Sequence, residues 1–336
     1  MARRIVVVGS SNTDMIIKLD RIPKPGETRL GGEFITAAGG KGANQAVAAA
    51  CAGGDVTMVA RVGQDMFGEQ AVAGLVANGV NVDHVQRDNS PSGVALIFVG
   101  EDGENSIGVA SGANAKLSPA DVRKAKTAFA IADVVIMQLE SPLDAVQAAA
   151  DLAAARGALV ILNPAPAQPL PDKLLKKVSI LTPNETEAEL LTGVEVDSDA
   201  SCARAADVLL RKGVETVIIT LGSRGAFVAS STSKQLVPGF HANPVDTTAA
   251  GDVFNGALAV ALAEGKPMFD AVRFANAAGA ISVTRVGAQP SAPSRMEIEK
   301  LANSERIVGI DGPSAHDGLR MHGRIAPEPS ISRSRL

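Results

Sequence analysis

The stretch "DVVIMQLESPLDAVQAAADLAAARGALVILN", residues 133–163, decides the fold. Large aliphatic residues open it, an alanine-rich segment follows, and a second aliphatic run closes it. Two strands separated by a helical segment of this length predict a parallel βαβ unit. Because both strands are continuously apolar rather than alternating, we expect the sheet to be covered by helices on both faces.

The same alternation runs through most of the chain. Further β-branched runs are "RIVVVG" (4–9), "VTMVARVG" (56–63), "VSILTPN" (178–184) and "TVIITLG" (216–222). The pattern predicts an α/β fold with three α/β/α layers and a mostly parallel central sheet.

Nearly every one of these runs is followed by a polar residue or a glycine. In open α/β sheets, ligands bind at the edge where the parallel strands end. We therefore expect the residues that follow the strands to converge on one crevice, namely Asn12, Glu140, Asn163, Asn184 and Gly222.

Two segments interrupt the alternation. Residues 13–36 have the pattern of two strands around "PKPGE", and residues 93–110 have that of a hairpin that turns at "EDGEN". Since neither contains a helical segment, we expect them to pair into a small sheet outside the main one. Such a sheet beside a ligand crevice predicts a lid, and its exposed face is a candidate dimer contact.

The composition limits the class of ligand. The 336 residues are 46% hydrophobic and 20% charged, which is enough for a large core in one α/β domain. A formal net charge of −4 gives no general attraction to nucleic acid or to an anionic membrane. Aromatic residues make up 3%, with no Trp or Tyr, so side chains that could stack on single-stranded bases are scarce.

The chain ends and the cysteines add little chemistry. The opening "MARRIVVVGS" contains a four-residue apolar run, too short for a signal peptide or a membrane span, so the expected location is the cytoplasm. Cys51 and Cys202 lack the spacing of a zinc site and are expected to be buried small hydrophobes. The tail, residues 304–336, is rich in Gly, Pro, Ser and Arg and is predicted to be disordered.

The glycine-rich stretch "AAGGKGANQA", residues 37–46, has the composition of a phosphate-binding loop but not the spacing of a P-loop or of a dinucleotide fingerprint. It does open an alanine-rich helix, so backbone N–H groups and the side chains of Lys41 and Asn44 are expected at one spot. The alternative is a plain tight turn before a helix.

A second glycine stretch, "NPVDTTAAGDVFNGALAVALA" (243–263), carries more information. Its backbone N–H groups at Ala249, Ala250 and Gly251 would form an anion hole at a helix N-terminus. Asp252 lies in that first turn, where it either stabilises the helix start or accepts a hydroxyl proton during phosphoryl transfer. A carboxylate at a helix start is expected to have a low pKa.

The segment "TPNETEAE" (182–189) places Asn184 and Glu187 three residues apart at a strand-to-helix junction. Amide and carboxylate oxygens suit magnesium that is bound through waters and nucleotide phosphates, whereas the alternative is a helix cap. The stretch "TLGSRGA" (220–226) offers a backbone surface for a nucleotide.

To about residue 303, the chain resembles the ribokinase-like carbohydrate kinases. The resemblance implies their three-layer α/β/α fold, with one kinase domain over residues 1–303 and a discontinuous β lid at about 13–36 and 93–110. It rests on the motifs "GSSNTD" (9–14), "PKPGET" (23–28), "GGKGANQAVAAA" (39–50), "GVALIFV" (93–99), "MQLESP" (137–142), "LNPAPA" (162–167), "TPNETEAELLTG" (182–193), "TLGSRG" (220–225), "DTTAAGDVFNGAL" (246–258) and "VTRVGAQPS" (283–291).

The resemblance also implies three sets of site residues. Sugar-binding positions are matched by Asn12, Asp14, Gly40, Lys41, Asn44, Glu140 and Asp252, and Asp252 also matches the catalytic base. ATP-binding positions are matched by Asn184, Glu187, Thr220, Leu221, Gly222, Ser223, Arg224, Gly225, Gly251 and Asn276, of which Asn276 lies where family members vary. Positions that bind a monovalent cation, partly through backbone carbonyls, are matched by Asp246, Thr248, Ser282, Arg285, Gly287 and Ser291.

The activity implied by the resemblance is transfer of the γ-phosphoryl group of ATP to the 5-hydroxyl of D-ribose. Mg²⁺ would accompany ATP, K⁺ would activate, and two chains would form a homodimer through the lid. Two alternatives stay open: a kinase for a related sugar or nucleoside, such as deoxyribose or fructose, and a non-catalytic sugar-binding regulator. Asp252 beside "TAAGD" argues for catalysis, because binding alone requires neither.

Overall fold

Strands and helices alternate along residues 3–304, the part of the chain that the computed structural model describes. The strands are β1 (Arg4–Val8), β2 (Asn12–Lys18), β3 (Glu33–Gly39), β4 (Asp55–Gly63), β5 (Asn81–Asp88), β6 (Gly93–Val99), β7 (Asn105–Ala110), β8 (Val134–Met137), β9 (Leu159–Leu162), β10 (Ile180–Leu181), β11 (Thr216–Thr220), β12 (Gly225–Ser230) and β13 (Lys234–Pro238).

The helices cover the faces of the sheet that these strands form. They are α1 (Lys41–Cys51), α2 (Met66–Ala77), α3 (Pro119–Lys124), α4 (Lys126–Phe129), α5 (Leu143–Ala154), α6 (Asp172–Leu175), α7 (Glu185–Thr192), α8 (Asp199–Arg211), α9 (Ala250–Ala263), α10 (Met268–Ser282) and α11 (Arg295–Ser304). The tail predicted for 304–336 lies outside the described residues except for Ser304, which ends α11.

The main sheet has nine strands in the order β13-β12-β11-β10-β9-β8-β1-β4-β5. All neighbouring pairs from β5 to β11 are parallel, and only β12 runs antiparallel to its two neighbours. The predicted mostly parallel sheet is therefore confirmed, and the stretch 133–163 contributes the parallel neighbours β8 and β9 through α5. Strands β5, β12 and β13 extend the sheet beyond the runs found in the sequence.

The small sheet, here called the lid sheet, has four strands in the order β3-β2-β6-β7. It is built from the two segments that interrupt the alternation, as predicted. Asn12 pairs with Gly39 on β3 and with Gly93 on β6, so three strands of the lid sheet begin or end next to the main sheet. Asn12 and Asp14, both near the start of β2, therefore lie at the crevice.

Two hydrophobic cores lie on the opposite faces of the main sheet. Ile5 and Val7 of β1 pack with α1, α9 and α10, whereas Val6 and Val8 pack with α3, α5 and α8. Because successive strand residues point to opposite faces, a strand that is buried on both sides must be apolar at every position. Within the described residues, no helix is both long and apolar enough to span a bilayer.

Helices α1 and α9 pack with their backbones unusually close together. A Cβ added at Gly256 of α9 would lie 2.7 Å from both Ala49 N and Gln45 O of α1, a distance that no side chain tolerates. Alanines on both helices allow the two backbones to stay close around this point. This contact brings the N-terminal turns of α1 and α9, which carry Asn44 and Asp252, to the same place.

Candidate active site

One cavity lies at the N-terminus of α9, and another lies beside the start of β2 and the segment that follows β8. The first, of about 410 Å³, is lined by residues of the predicted nucleotide set, including Asn184, Thr220, Gly222, Gly251 and Asn276. The second, of about 390 Å³, is lined by Asn12 and Glu140 together with Asn114. Of the polar residues expected at the strand ends, Asn184 and Gly222 line the first cavity, Asn12 and Glu140 line the second, and Asn163 lines neither.

The glycines of "GGKG" serve close packing. Gly40 has a φ of +88°, and a Cβ there would lie 2.6 Å from Asn12 N. A Cβ on Gly42 would lie 2.6 Å from Ser10 N. The tight turn before a helix is therefore present, and its effect is to press the start of α1 against the junction between β1 and β2.

Glu140 caps that junction. Its Oε2 accepts hydrogen bonds from the Lys41 backbone N–H at 3.0 Å and from the Ser10 hydroxyl at 2.5 Å. The carboxylate thereby joins the end of β8 to the first turn of α1. Sequence reasoning identified Glu140 and Lys41 but missed Ser10, which is fully buried.

Asn12 is oriented by a buried neighbour. Its Oδ1 accepts a 2.7 Å hydrogen bond from Asn114 Nδ2, and Asn114 also bonds both backbone groups of Ser11. With Oδ1 taken, Asn12 presents its Nδ2 as the free donor. Sequence reasoning missed Asn114, which follows the lid sheet in a short 3-10 turn.

Asp14 is a half-buried carboxylate in an acidic neighbourhood. Burial, followed by the charges of Glu140 and Asp252, raises its pKa from 3.8 to about 6, and only Lys41 acts in the opposite direction. Gly39 on the neighbouring strand leaves room for it, since a Cβ there would lie 2.2 Å from Asp14 Oδ2. The start of β2 therefore carries a carboxyl whose pKa lies near 6.

Asp252 is held by two side-chain amides of α1. Its Oδ1 accepts from Gln45 Nε2 at 2.9 Å and its Oδ2 accepts from Asn44 Nδ2 at 3.0 Å. The carboxylate is 6% exposed, and burial raises its pKa even though Lys41 and both amides favour the charged form. The low pKa expected for a carboxylate at a helix start is therefore wrong, because the loss of solvation outweighs the charge of Lys41 and the two amide hydrogen bonds.

The first turn of α9 supplies the expected backbone donors. Ala249 has a φ of +58°, the one positive value at a non-glycine among the described residues, and α9 begins directly after it. This conformation costs on the order of 1 kcal/mol and is typical of a functional turn. The N–H of Ala250 bonds Thr247 O at 3.3 Å, so the hole that sequence reasoning assigned to three amides retains those of Ala249 and Gly251.

Asn184 and Glu187 form a reciprocal helix cap at the start of α7. Asn184 Oδ1 accepts from the Glu187 N–H at 2.8 Å, and Glu187 Oε2 accepts from the Asn184 N–H at 2.9 Å. Burial raises the pKa of Glu187, whereas the Asn184 N–H and then Lys41 lower it and Asp252 raises it. The residues thus form the helix cap that was the alternative prediction. The Glu187 carboxylate also lies close enough to Lys41 and Asp252 for their charges to act on it.

Not every predicted nucleotide residue faces the first cavity. Leu221 is 3% exposed in the core, and Arg224 points to Glu185 and Asp199. Asn276 lines the cavity, but its Nδ2 donates to Val237 O at 3.0 Å and to Pro238 O at 3.1 Å. Its role visible here is to anchor the end of β13 against α10.

The predicted cation residues lie in the loop before α9 and in the stretch from the end of α10 to Ser291. Asp246 accepts from the Thr248 N–H at 2.9 Å and from the Gly287 N–H at 2.8 Å, and its own N–H donates to Val283 O. Among the hydrogen bonds of the described residues, none is accepted by the carbonyls of Asp246, Thr248, Arg285 or Gly287. Ser282 and Ser291 instead bond carbonyls within their own turns.

Comparison with known proteins identifies the family of the chain. The sequence model of the pfkB family carbohydrate kinases matches residues 2–295. The chain is 47% identical to the ribokinase of Haemophilus influenzae over 298 residues, which cover 88% of this chain and 97% of that protein. It is 39% identical to a deoxyribokinase of Salmonella typhi over 292 residues, 86% of this chain and 95% of that one.

A solved structure shows the same fold. The structure of Arabidopsis thaliana ribokinase complexed with ribose and ATP superposes with a TM-score of 0.84 at 36% identity, covering 90% of this chain and 99% of that one. The resemblance inferred from the motifs is thereby confirmed, and the chain belongs to the pfkB family of carbohydrate kinases.

Proposed function

We propose that this protein transfers the γ-phosphoryl group of ATP to the 5-hydroxyl of D-ribose. The observation that carries the proposal is the place of Asp252. Its carboxylate bonds Asn44 at the sugar side, and its neighbour Gly251 lines the cavity with the nucleotide residues. The ribokinase relatives, and the ribose and ATP bound in one of them, support the choice of substrates.

The residues present fit such a transfer. The Asp252 carboxylate orients the sugar hydroxyl and accepts its proton, and a pKa raised by burial makes it a better base than a surface aspartate. The N–H groups of Ala249 and Gly251, with the dipole of α9, stabilise the charge on the transferring group. Lys41 lies close enough to lower the pKa of both Asp14 and Asp252, so its charge offsets those of the carboxylates.

An ATP turnover assay tests this function. With Mg²⁺ and K⁺ present, ribose should give ribose 5-phosphate and ADP, and a sugar-free control records spontaneous ATP decay. Deoxyribose and fructose are compared at the same concentrations, since a deoxyribokinase is also among the relatives. Ribose turnover no faster than the sugar-free control would overturn the proposal. Faster turnover of deoxyribose would move it to that sugar.

Mg²⁺ belongs to the same proposal as the partner of ATP. Within residues 3–304, no group of three or more His, Cys, Asp or Glu is arranged to hold a metal ion. Mg²⁺ commonly keeps its waters and binds through one or two carboxylates and substrate phosphates. Glu187 would be such a carboxylate, and Mg²⁺ would neutralise phosphate charge during transfer.

Asn44→Ala is expected to raise the KM for ribose roughly tenfold to hundredfold, with the KM for ATP nearly unchanged. Asn44 Oδ1 is buried without a partner among the described residues, so it is free to accept from a sugar hydroxyl. Losing its hydrogen bonds near a charged group costs about 1.5–3 kcal/mol. Steady-state kinetics with each substrate varied in turn measure both constants. Asn78→Ala, at the exposed end of α2, is the matched control, and an equal rise in both constants would contradict the assignment.

K⁺ is proposed to bind between the loops that contain Asp246 and Gly287. The unused carbonyls there fit a large monovalent ion, which would order the turn leading to Ala249. We expect turnover to be several-fold faster in potassium than in sodium, and slowest in lithium, at equal ionic strength. Initial rates in the three chloride salts measure this effect. Equal rates would contradict the proposed potassium site.

The lid sheet is proposed to join two chains in a homodimer. Phe34 and Leu96 lie on the lid face opposite Asp14 and are 62% and 53% exposed. Large apolar side chains exposed together commonly mark a protein contact. We also propose that the protein is cytoplasmic and that residues 1–303 form a single kinase domain.

A further inference from the structure

A row of buried side-chain amides lies beneath Asp252. Gln138 Nε2 donates to Gln45 Oε1 at 2.6 Å, and Gln45 Nε2 donates to Asp252 Oδ1 at 2.9 Å and to Asn163 Oδ1 at 3.1 Å. Gln45 and Gln138 are fully buried and Asn163 is 7% exposed. The row runs from the ends of β8 and β9, through α1, to the carboxylate on α9.

The orientation of the Gln45 amide is fixed by the acceptors that its Nε2 meets, Asp252 Oδ1 and Asn163 Oδ1. Gln45 Oε1 then accepts from Gln138, whose own Oε1 has no partner among the described residues. Asn163 donates its own Nδ2 to Thr182 O at 3.1 Å and therefore presents Oδ1 to Gln45. A flipped Gln45 would place an oxygen against both the Asp252 carboxylate and Asn163 Oδ1. The strand ends thus dictate which atom meets the carboxylate.

We propose that Gln45 is a positioning residue for phosphoryl transfer: anchored by Gln138 and Asn163, it fixes the Asp252 carboxylate and keeps it in the ionised, proton-accepting form. The inference rests on the proposed function, in which Asp252 is the base. Gln45 lies at the floor of the site, on the side of Asp252 Oδ1, whereas Asn44 bonds Oδ2 from the sugar side.

Gln45 suits this task because it is neutral. The ionisable groups that act on Asp252 are Lys41 from α1, Glu140 after β8, Asp14 from β2 and Glu187 from α7. An amide donor stabilises the carboxylate without adding a charge that would attract phosphate away from the anion hole. The contact at Gly256 holds α1 against α9, so the distance from Gln45 to Asp252 is set by packed helices.

The kinetic test uses Gln45→Met, which keeps the length of the side chain and removes its donor. We expect kcat with ribose to fall roughly tenfold to hundredfold, as for loss of a hydrogen bond to a charged group. The KM for ATP should stay within about twofold, and the acidic limb of the kcat profile should move to higher pH. Gln147→Met, on the exposed face of α5, is the matched control. An unchanged acidic limb would overturn the proposal.

A second measurement does not depend on the substrate. Urea unfolding of the wild type, Gln45→Met, Asp252→Asn and the double variant is followed from pH 5 to pH 9. If Gln45 stabilises the ionised carboxylate, the loss caused by Gln45→Met grows with pH in the wild type and stays constant beside Asn at 252. The same loss in both backgrounds at every pH would overturn the inference, even if the protein proved inactive on ribose. Gln45→Asn, one methylene shorter, replaces the Met variant if that chain does not fold.

Discussion

Asp252→Asn should lower kcat for ribose by about 10²- to 10⁴-fold while changing ribose affinity much less. The amide keeps the size of the side chain, its oxygen can still accept from Gln45, and its NH2 group can donate to Asn44 Oδ1 once that amide flips, but it cannot accept a proton. Rapid-mixing or coupled measurement of kcat, together with ribose binding by calorimetry, separates the two effects.

The matched control for this change is Asp144→Asn. Asp144 is also a carboxylate in the first turn of a helix, α5, and it is exposed. If Asp252 served only to stabilise a helix start, both variants would retain turnover. Near-normal kcat in Asp252→Asn would therefore return Asp252 to that structural role and leave the proposed reaction without its base.

Asp14→Asn is expected to stabilise the ligand-free protein and to weaken its binding of ribose. The fold favours the neutral carboxyl, since its pKa rises from 3.8 to about 6. The stability due to that neutral form is complete below pH 3.8 and is lost as the pH rises through about 6. Asparagine stays neutral, so the variant should exceed the wild type above pH 6 by about 1–2 kcal/mol, allowing for solvent screening.

Ribose binding should show the opposite response. Loss of a charged acceptor for a sugar hydroxyl costs about 1.5–3 kcal/mol, so the KM for ribose should rise roughly tenfold to hundredfold at pH 8. Urea unfolding at pH 4 and pH 8, with ribose kinetics at pH 8, measures both changes. Asp102→Asn, in the exposed turn of the lid sheet, is the control. A variant no more stable than the wild type at pH 8 would refute the argument from burial.

Much of this architecture follows from local pattern. The apolar runs predicted the parallel strands because a strand buried on both faces has no polar position, and "EDGEN" predicted the hairpin from its turn residues. Strand β5 was not predicted, because it pairs with β4 alone at an edge of the sheet and its sequence "NVDHVQRD" is mostly polar. Strands β12 and β13 escaped because they turn back as a hairpin, outside the βαβ rhythm.

The site was harder to predict where it depends on packing. Gln45 lies next to Asn44 in the sequence, but nothing local indicates that α1 and α9 touch at Gly256 and so bring it to Asp252. The prediction of a low pKa for Asp252 was wrong for the same reason, since burial is a property of the assembled fold. One signal was available: Gln45 is a polar residue inside an alanine-rich helix, where a buried amide needs a partner.

The close contact of α1 with α9 also separates the residues around Asp252 from the residues that the lid sheet contributes. Asn44, Gln45 and Asp252 all lie on these two helices, whereas Asn12 and Asp14 lie on the lid sheet. In the proposed mechanism, a movement of the lid sheet would displace only part of the sugar site and would leave Asp252 in place. Entry and retention of the sugar can therefore change while the amide contacts of Asp252 stay in place, and Asp14 still couples the two parts through its charge.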